Sequence, residues 1–270
     1  MSEQVAKFYQ LYDEDSRFER PSRAVEYITT IHIVDTWLSQ LPPVSSILDS
    51  GAGSGAYAIH YAKQGHQVKA IDITPKHIQQ IQAKSLPLEL NYSLQAEIGN
   101  ATTLSTIATE SLDMVLCLGP YYHLTSAEDR ASCLSESMRV LRPGGILIVA
   151  YINKYSIVPM LAVKEQGYLR SSVIDKVLQE GVFYDGAEDS FWTDLYVTSP
   201  EQMEQDILAA NAQIVDHAGA DGVTHTIDGS IDHLEESMYQ TWLDYHLRTC
   251  RERSILGLST HGIIVGRKSK

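Results

Sequence analysis

Basic residues are the scarce class in this chain of 270 residues: 21 Lys and Arg face 34 Asp and Glu, a formal net charge of −13. A protein built to grip phosphate backbones concentrates Lys and Arg on one face. Neither nucleic acid nor an anionic membrane surface is therefore an expected partner. Cysteine is nearly absent. Cys117, Cys133 and Cys250 lie far apart and form no C-x-x-C pair, which excludes a disulfide framework and suits a reducing, cytoplasmic setting. Long apolar runs are missing too. The longest, Ile146 to Ile152, is far too short to span a bilayer, and the charged first twenty residues are no signal peptide. The ten histidines show no H-x-x-x-H spacing and no His/Cys cluster, so no metal is expected. No Gly-x-Ser-x-Gly nucleophile elbow occurs.

What is present is an alternation. From Val44 to Ile152, short β-rich runs take turns with helical runs, the pattern of a parallel sheet wrapped by helices. Strands are expected at Ser45–Asp49, Val68–Ile73, Leu94–Ile98, Leu112–Leu118 and Ile146–Ile152. A helix from Pro21 to Leu41 precedes them, with Val25, Ile28, Ile31, Val34, Leu38 and Leu41 as its buried face. Thr74 and Pro75 open another helix as N-cap and first residue. A helix from Ser126 to Leu141 should stop at Arg142-Pro143-Gly144-Gly145. Beyond Ile152 the pattern changes. The chain divides into an N-terminal lid and first helix (1–43), a binding core (44–152), an aromatic-rich cap insert (153–197) and a completion of the α/β core (198–270). In the last part Ser199-Pro200-Glu201-Gln202 reads as a capping box. A strand follows at Gln213–His217, a long helix at Ile231–Arg251 and a final strand at His261–Gly266.

The chemistry concentrates at two strand ends. Asp49-Ser50-Gly51-Ala52-Gly53-Ser54-Gly55 joins the first strand to a helix. Glycines there permit a tight turn and a close approach of a ligand, and the helix N-terminus offers unpaired N–H groups. Gly51, Gly53 and Ala56 also satisfy the dinucleotide pattern G-x-G-x-x-A, so a nicotinamide-dependent oxidoreductase is a competing reading at this point. Asp72 ends the second strand, with Ile73 beside it, where such sheets face their ligand crevice. A carboxylate there can accept both hydroxyl hydrogens of a ribose.

These features together resemble the class I S-adenosylmethionine-dependent methyltransferases. Asp49 stands two residues before the first glycine, as in that family's first motif. Asp72 matches its ribose-binding acid. Gly99-Asn100-Ala101 falls where the family reads adenine, with Asn100 in place of the usual Asp, and Arg142-Pro143-Gly144-Gly145 matches a common turn. Three further stretches narrow the likeness: Leu118-Gly119-Pro120-Tyr121-Tyr122-His123-Leu124, Tyr12-Asp13-Glu14-Asp15-Ser16-Arg17 and Leu256-Gly257-Leu258-Ser259-Thr260-His261. They resemble bacterial small-molecule methyltransferases loosely related to those of quinone biosynthesis.

The resemblance implies a Rossmann-like α/β fold with a seven-stranded sheet in the order 3-2-1-4-5-7-6, its last strand antiparallel. It implies S-adenosyl-L-methionine as cofactor and a small-molecule methyl acceptor as partner. Ala101, Leu118 and Gly119 would line the cofactor through backbone groups. Tyr9, Tyr12 and Arg17 would fold over it as a lid. Arg17 would clamp a carboxylate or simply pair with Glu14 or Glu19 at the surface. His123 is a candidate general base, since histidine titrates near neutrality, or a structural histidine that shapes the pocket. Tyr122 either donates to an acceptor or packs. The insert's aromatic rings are either a substrate wall or the core of the cap. A protein that keeps the fold only to bind the cofactor is the remaining alternative.

Overall fold

The computed structural model describes residues 3–269. The N-terminal part holds α1 (Glu3–Leu11) and α2 (Pro21–Leu38). The alternating part follows: β1 (Ser46–Ser50), α3 (Ala56–Lys63), β2 (Gln67–Asp72), α4 (Pro75–Ser85), β3 (Leu94–Ile98), β4 (Leu112–Cys117), α5 (Ala127–Val140) and β5 (Leu141–Asn153). The insert contributes α6 (Lys154–Lys164), α7 (Ser171–Gln179), β6 (Val182–Phe183) and β7 (Leu195–Thr198). The chain ends with α8 (Pro200–Ala209), β8 (Ala212–Gly219), α9 (Asp228–Ile231), α10 (Glu236–Thr249), α11 (Arg253–Leu258) and β9 (His261–Lys268).

The strands form because both faces of a parallel sheet are covered, so their sequences read as unbroken apolar runs. Every residue of β4 is buried. Alternate side chains go to opposite faces. Ile47, Met114, Leu116, Ile146 and Ile148 pack with α2, α3 and α4 on one side. Leu48, Val115, Cys117, Leu147 and Val149 pack with α5 and α8 on the other. The core order is β3-β2-β1-β4-β5-β9-β8. β9 runs antiparallel to β5 and to β8, while the first five strands are mutually parallel. Counted along the core, this is the 3-2-1-4-5-7-6 arrangement with an antiparallel last strand.

The insert adds a short hairpin to this sheet. The β4–β5 ladder ends at Cys117 opposite Val149. Farther along β5, β7 pairs at Ile152 and Asn153, and β6 pairs antiparallel to β7. The cap is thereby hydrogen-bonded to the strand that runs beside the crevice.

Four expectations about elements need correction. Arg142–Gly145 is no separate turn: α5 ends at Val140 and the chain enters β5 at once, with Gly144 at φ 81°. The irregularity is absorbed as a register shift between Leu112 and Met114, where the Arg142 guanidinium donates to Asp113 at 2.7 Å. The long helix expected at 231–251 is shortened to α10, with the separate α9 ending at Ile231, because the Asp232-His233-Leu234-Glu235 stretch supplies no continuous apolar face. The first helix ends at Leu38, tightened by i→i−3 bonds from Gln40 and Leu41. Its buried face includes Glu26, Thr29, Thr30 and Ile33, whereas Ile28 and Ile31 are half-buried. It is gripped on two sides, by the sheet and through Val25 by Ile231 and Tyr239. Among the described residues, no helix is long and apolar enough to cross a membrane.

Candidate functional site

Three strand ends meet at one crevice. After β1 the chain turns through Gly51, Gly53 and Gly55, all at positive φ (75°, 54° and 93°), a region that costs a side-chain-bearing residue about 1–2 kcal/mol. The Gly51 and Ala52 N–H groups both donate to Ile71 O (2.8 and 3.0 Å), and the Gly53 N–H donates to Asp72 Oδ2 at 2.9 Å. These N–H groups are therefore committed within the protein. What the loop offers a ligand is room rather than donors. A Cβ on Gly51 would sit 2.4 Å from Pro120 Cγ. Gly51→Ala is expected to destabilise by about 2–5 kcal/mol, the sum of left-handed strain and overpacking. A thermal melt checks this, and an unchanged midpoint would show that Pro120 yields freely.

Asp72 closes the loop from the second strand. Its other oxygen accepts from the Thr74 N–H at 2.8 Å, and His77 Nδ1 lies 3.2 Å away without hydrogen-bond alignment. Asp49 sits behind, 1 % exposed. Burial, reinforced by the Asp72 charge, pushes its carboxyl up to about 7. Asp49 does not line the crevice. It supports the floor from below.

The crevice is narrow, walled by α1 and the segment after it, the glycine loop and the ends of β2 and β4. The structure brings twelve of the expected residues to its walls: Tyr9, Arg17, Gly51, Ala52, Gly53, Asp72, Ile73, Ala101, Leu118, Gly119, Tyr122 and His123. Tyr12 and Asn100 are elsewhere. Tyr12, one residue past α1, is 40 % exposed, stacks on Phe8 and lines the neighbouring cavity described below. The Asn100 side-chain oxygen accepts from both the backbone N–H and the hydroxyl of Thr102 (3.0 Å each). It is spent on its own turn, which leaves Gly99 and Ala101 at the wall. Sequence reading missed Glu14, Phe18, Tyr57, Thr74 and His77, which also line it.

The N-terminal segment crosses this crevice in helical form. α1 places the Tyr9 hydroxyl 2.9 Å from His123 Nε2. His123 follows β4 in a 3₁₀ turn and its Nδ1–H donates to Asp194 O at 2.8 Å. That bond fixes the tautomer and leaves Nε2 as the acceptor of the Tyr9 hydroxyl. Burial lowers the His123 pKa to about 4, so the ring is neutral at pH 7. Tyr122 is buried, donates to Leu118 O and is pushed up to about 12 by burial. Arg17 is neither a surface pair nor a free clamp: it is bound to Glu14 (3.2 Å) and to the buried Glu26 (2.6 Å). Burial raises the Glu14 pKa.

A second cavity adjoins the first. Tyr9, Glu14 and Arg17 line both. Beyond this shared wall lie Phe191 and Trp192 of the insert, Arg23 of α2, and His225 and His261. Trp192 packs on the His123 ring with centroids 5.2 Å apart. Most of the other rings of the insert serve elsewhere: Phe183 is in the cap core, Tyr155 and Tyr184 are exposed, and Tyr196 lies under Arg130.

His225 is also neutral, lowered to about 3 by burial. The two histidines and Asp49 make opposite demands on stability. An unfolded histidine takes up a proton near pH 6.5, so His123 and His225 each favour folding above that pH and lose the benefit as pH falls below it, completely by about 4 and about 3. Asp49 holds a proton up to about pH 7 in the fold, so its share falls as pH rises from 4. Two contributions oppose one. The melting temperature is expected to climb from pH 4.5 to 6.5, and more steeply in Asp49→Asn. A flat or falling curve would contradict these burial effects.

Residues 48–149 match the family model described as a methyltransferase domain. They carry a class I methyltransferase domain. Over 173 residues the chain is 28 % identical to the 2-methyl-6-phytyl-1,4-hydroquinone methyltransferase of Synechocystis, covering 57 % of this chain and 52 % of that protein. It is 27 % identical to the ubiquinone biosynthesis O-methyltransferase of Albidiferax ferrireducens over 56 % and 58 % of the two chains. The chain thus spans about half the length of the curated relatives it matches. The domain is related to those of the quinone-biosynthesis methyltransferases. A similar fold is seen in the 1,6-didemethyltoxoflavin-N1-methyltransferase of Burkholderia thailandensis, solved with 1,6-didemethyltoxoflavin and S-adenosylhomocysteine bound (TM-score 0.55, 14 % identity, 98 % of this chain and 85 % of that one).

S-adenosylmethionine is the cofactor that goes with a methyltransferase domain of this class, and the crevice is suited to it. Thr74 Oγ1, Glu14 Oε2 and both ring nitrogens of His77 are buried at its walls without hydrogen-bond partners among the described residues. Buried polar atoms are normally satisfied. Orphans gathered around one cavity fit a polar ligand.

Proposed function

We propose that this chain binds S-adenosylmethionine in the glycine crevice and transfers its methyl group to a small-molecule acceptor by direct in-line displacement. The observation that carries the reading is the convergence of Gly51–Gly53, Asp72, Ala101 and Leu118–Gly119 on one cavity with unsatisfied polar atoms. Asp72 would take the ribose hydroxyls, Ile73 and Ala101 would flank the adenine, and the side-chain-free loop would admit the methionine part. When bound, the cofactor supplies a methyl group already activated on sulfur.

The protein's own task is then positioning and exclusion of water, which can contribute about 7–11 kcal/mol to lowering a barrier. α1 covers the crevice through Tyr9, and Arg17 ties the following segment to Glu14 and Glu26. The neutral His123 presents Nε2 to the Tyr9 hydroxyl, so acceptor entry at that point requires Tyr9 to yield or to hand over its hydrogen bond.

Calorimetric titration with S-adenosylhomocysteine tests the reading. Saturable one-to-one binding supports it; absence of both heat and thermal shift overturns it. His123→Ala is expected to leave that affinity within a few-fold, since the ring faces Tyr9 and Trp192. A loss of ten-fold or more would make His123 part of the cofactor wall.

A further inference from the structure

Arg23 stands apart from the other cations of the second cavity. Arg17 is held by Glu14 and Glu26, Arg20 by Asp232, and Lys164 by Asp228 at 2.7 Å. Among the described residues Arg23 has no carboxylate partner; its Nη1 donates to His225 Nδ1 at 2.9 Å. Burial keeps His225 neutral, so that contact orients the guanidinium without cancelling its charge. The acids near this end of the cavity are already engaged: Asp221 binds His261, and Glu26 binds Arg17. Glu165, the remaining acid of the lining, is exposed at the rim on the last turn side of α6.

Phe191 and Trp192 contribute aromatic rings to the lining of the same cavity. One more polar group faces inward. His261 lines the same cavity, and its Nδ1 is fixed by Asp221 Oδ2 at 2.8 Å, which leaves Nε2 as the ring nitrogen not used in that bond. In an otherwise acidic chain, a half-buried guanidinium with no carboxylate partner among the described residues and two aromatic rings share one cavity. A guanidinium reads a carboxylate through paired N–H donors, and aromatic walls select a planar body.

We propose that the second cavity is the acceptor site and that it takes an aromatic carboxylate, with Arg23 binding the carboxylate, Phe191 and Trp192 flanking the ring, and His261 Nε2 meeting a ring substituent. The inference rests on the methyl-transfer reading for the word acceptor, but the pocket itself is testable alone. A guanidinium–carboxylate contact in a partly dry site is worth roughly a ten-fold change in affinity or more.

The probes are 4-hydroxybenzoate and its methyl ester, titrated into the intact protein while tryptophan fluorescence is followed, with S-adenosylhomocysteine affinity measured separately by calorimetry. The acid is expected to bind at least ten-fold tighter than the ester. Arg23→Met should remove that preference, Arg23→Lys should retain part of it, and neither should change S-adenosylhomocysteine affinity. Circular dichroism of each variant confirms folding. Acid and ester binding alike, an Arg23→Met variant that keeps the preference, or displacement of the acid by S-adenosylhomocysteine would each overturn the proposal. S-adenosylhomocysteine binding without acid binding overturns the pocket and leaves the functional reading standing. Acid selectivity without S-adenosylhomocysteine binding upholds the pocket and removes the methyl-transfer reading.

Discussion

Asp72→Ala is expected to lower affinity for S-adenosylhomocysteine by about 10- to 100-fold, the loss that follows removal of roughly 1.5–3 kcal/mol of charged hydrogen bonding. The carboxylate ends β2 and is 7 % exposed. The substitution also takes away two acceptors inside the protein, for the Gly53 and Thr74 N–H groups. Some of the loss will therefore be a looser loop. Asp72→Asn separates the two parts, because the amide keeps one acceptor oxygen and the shape but gives up the charge. The asparagine variant should fall between wild type and alanine in calorimetry while melting close to wild type. Removal of the Asp72 charge should also bring the Asp49 carboxyl down, since that charge helps to hold it near 7. Full affinity in Asp72→Ala would take this residue out of the site.

Asp221→Ala should cost about 3–5 kcal/mol of folding stability, as expected when one partner of a buried ion pair is removed. Asp221 is 2 % exposed and accepts from Ser259 Oγ, the backbone N–H groups of Thr260 and His261, and His261 Nδ1. It ties the start of β9 to the loop after β8. Truncation leaves those donors and a charged imidazole buried without an acceptor. Asp221→Asn keeps the oxygen for the donors on Oδ1 and should cost less, about 1–3 kcal/mol.

The pair also has a pH signature. Burial opposes ionisation of Asp221, but the His261 charge outweighs it and holds the carboxyl below the usual range. Its contribution is present above the unfolded value near 4 and is lost in acid. For His261, burial is outweighed by Glu26 and Asp221, and the pKa is raised. That contribution is complete below about pH 6.5 and fades as pH rises through the folded value. The difference in unfolding free energy between wild type and Asp221→Asn should therefore be larger at pH 5.5 than at pH 8.5. Equal differences at the two pH values would mean that His261 is not charged in the fold.

The alternating strands and helices, the glycine turn and the acid at the end of β2 were legible in the chain itself. Their signals are local: apolar runs for strands covered on both faces, positive-φ glycines between a strand and a helix, a proline at the first helical turn. The family likeness drew on the same short spacings. Parallel strand order followed because such connections leave few topologies.

The tertiary structure decided everything that depends on residues distant in sequence. Tyr9 meets His123 across 114 positions, Arg23 meets His225 across 202, and His261 meets Asp221 across 40. No periodicity or spacing encodes such pairs. Whether Arg17 clamps a ligand or is locked internally turned on Glu26, a charged residue on the buried side of α2 that helical periodicity assigns to solvent. Asn100 and Tyr12 left the crevice for reasons of the same kind, one captured by its own turn and the other stacked on Phe8 at the neighbouring cavity. Local propensity sets the elements and their order. Which face a polar side chain turns, and which partner satisfies it, is fixed by packing between elements, because a buried charge must find its counterpart wherever the fold brings one.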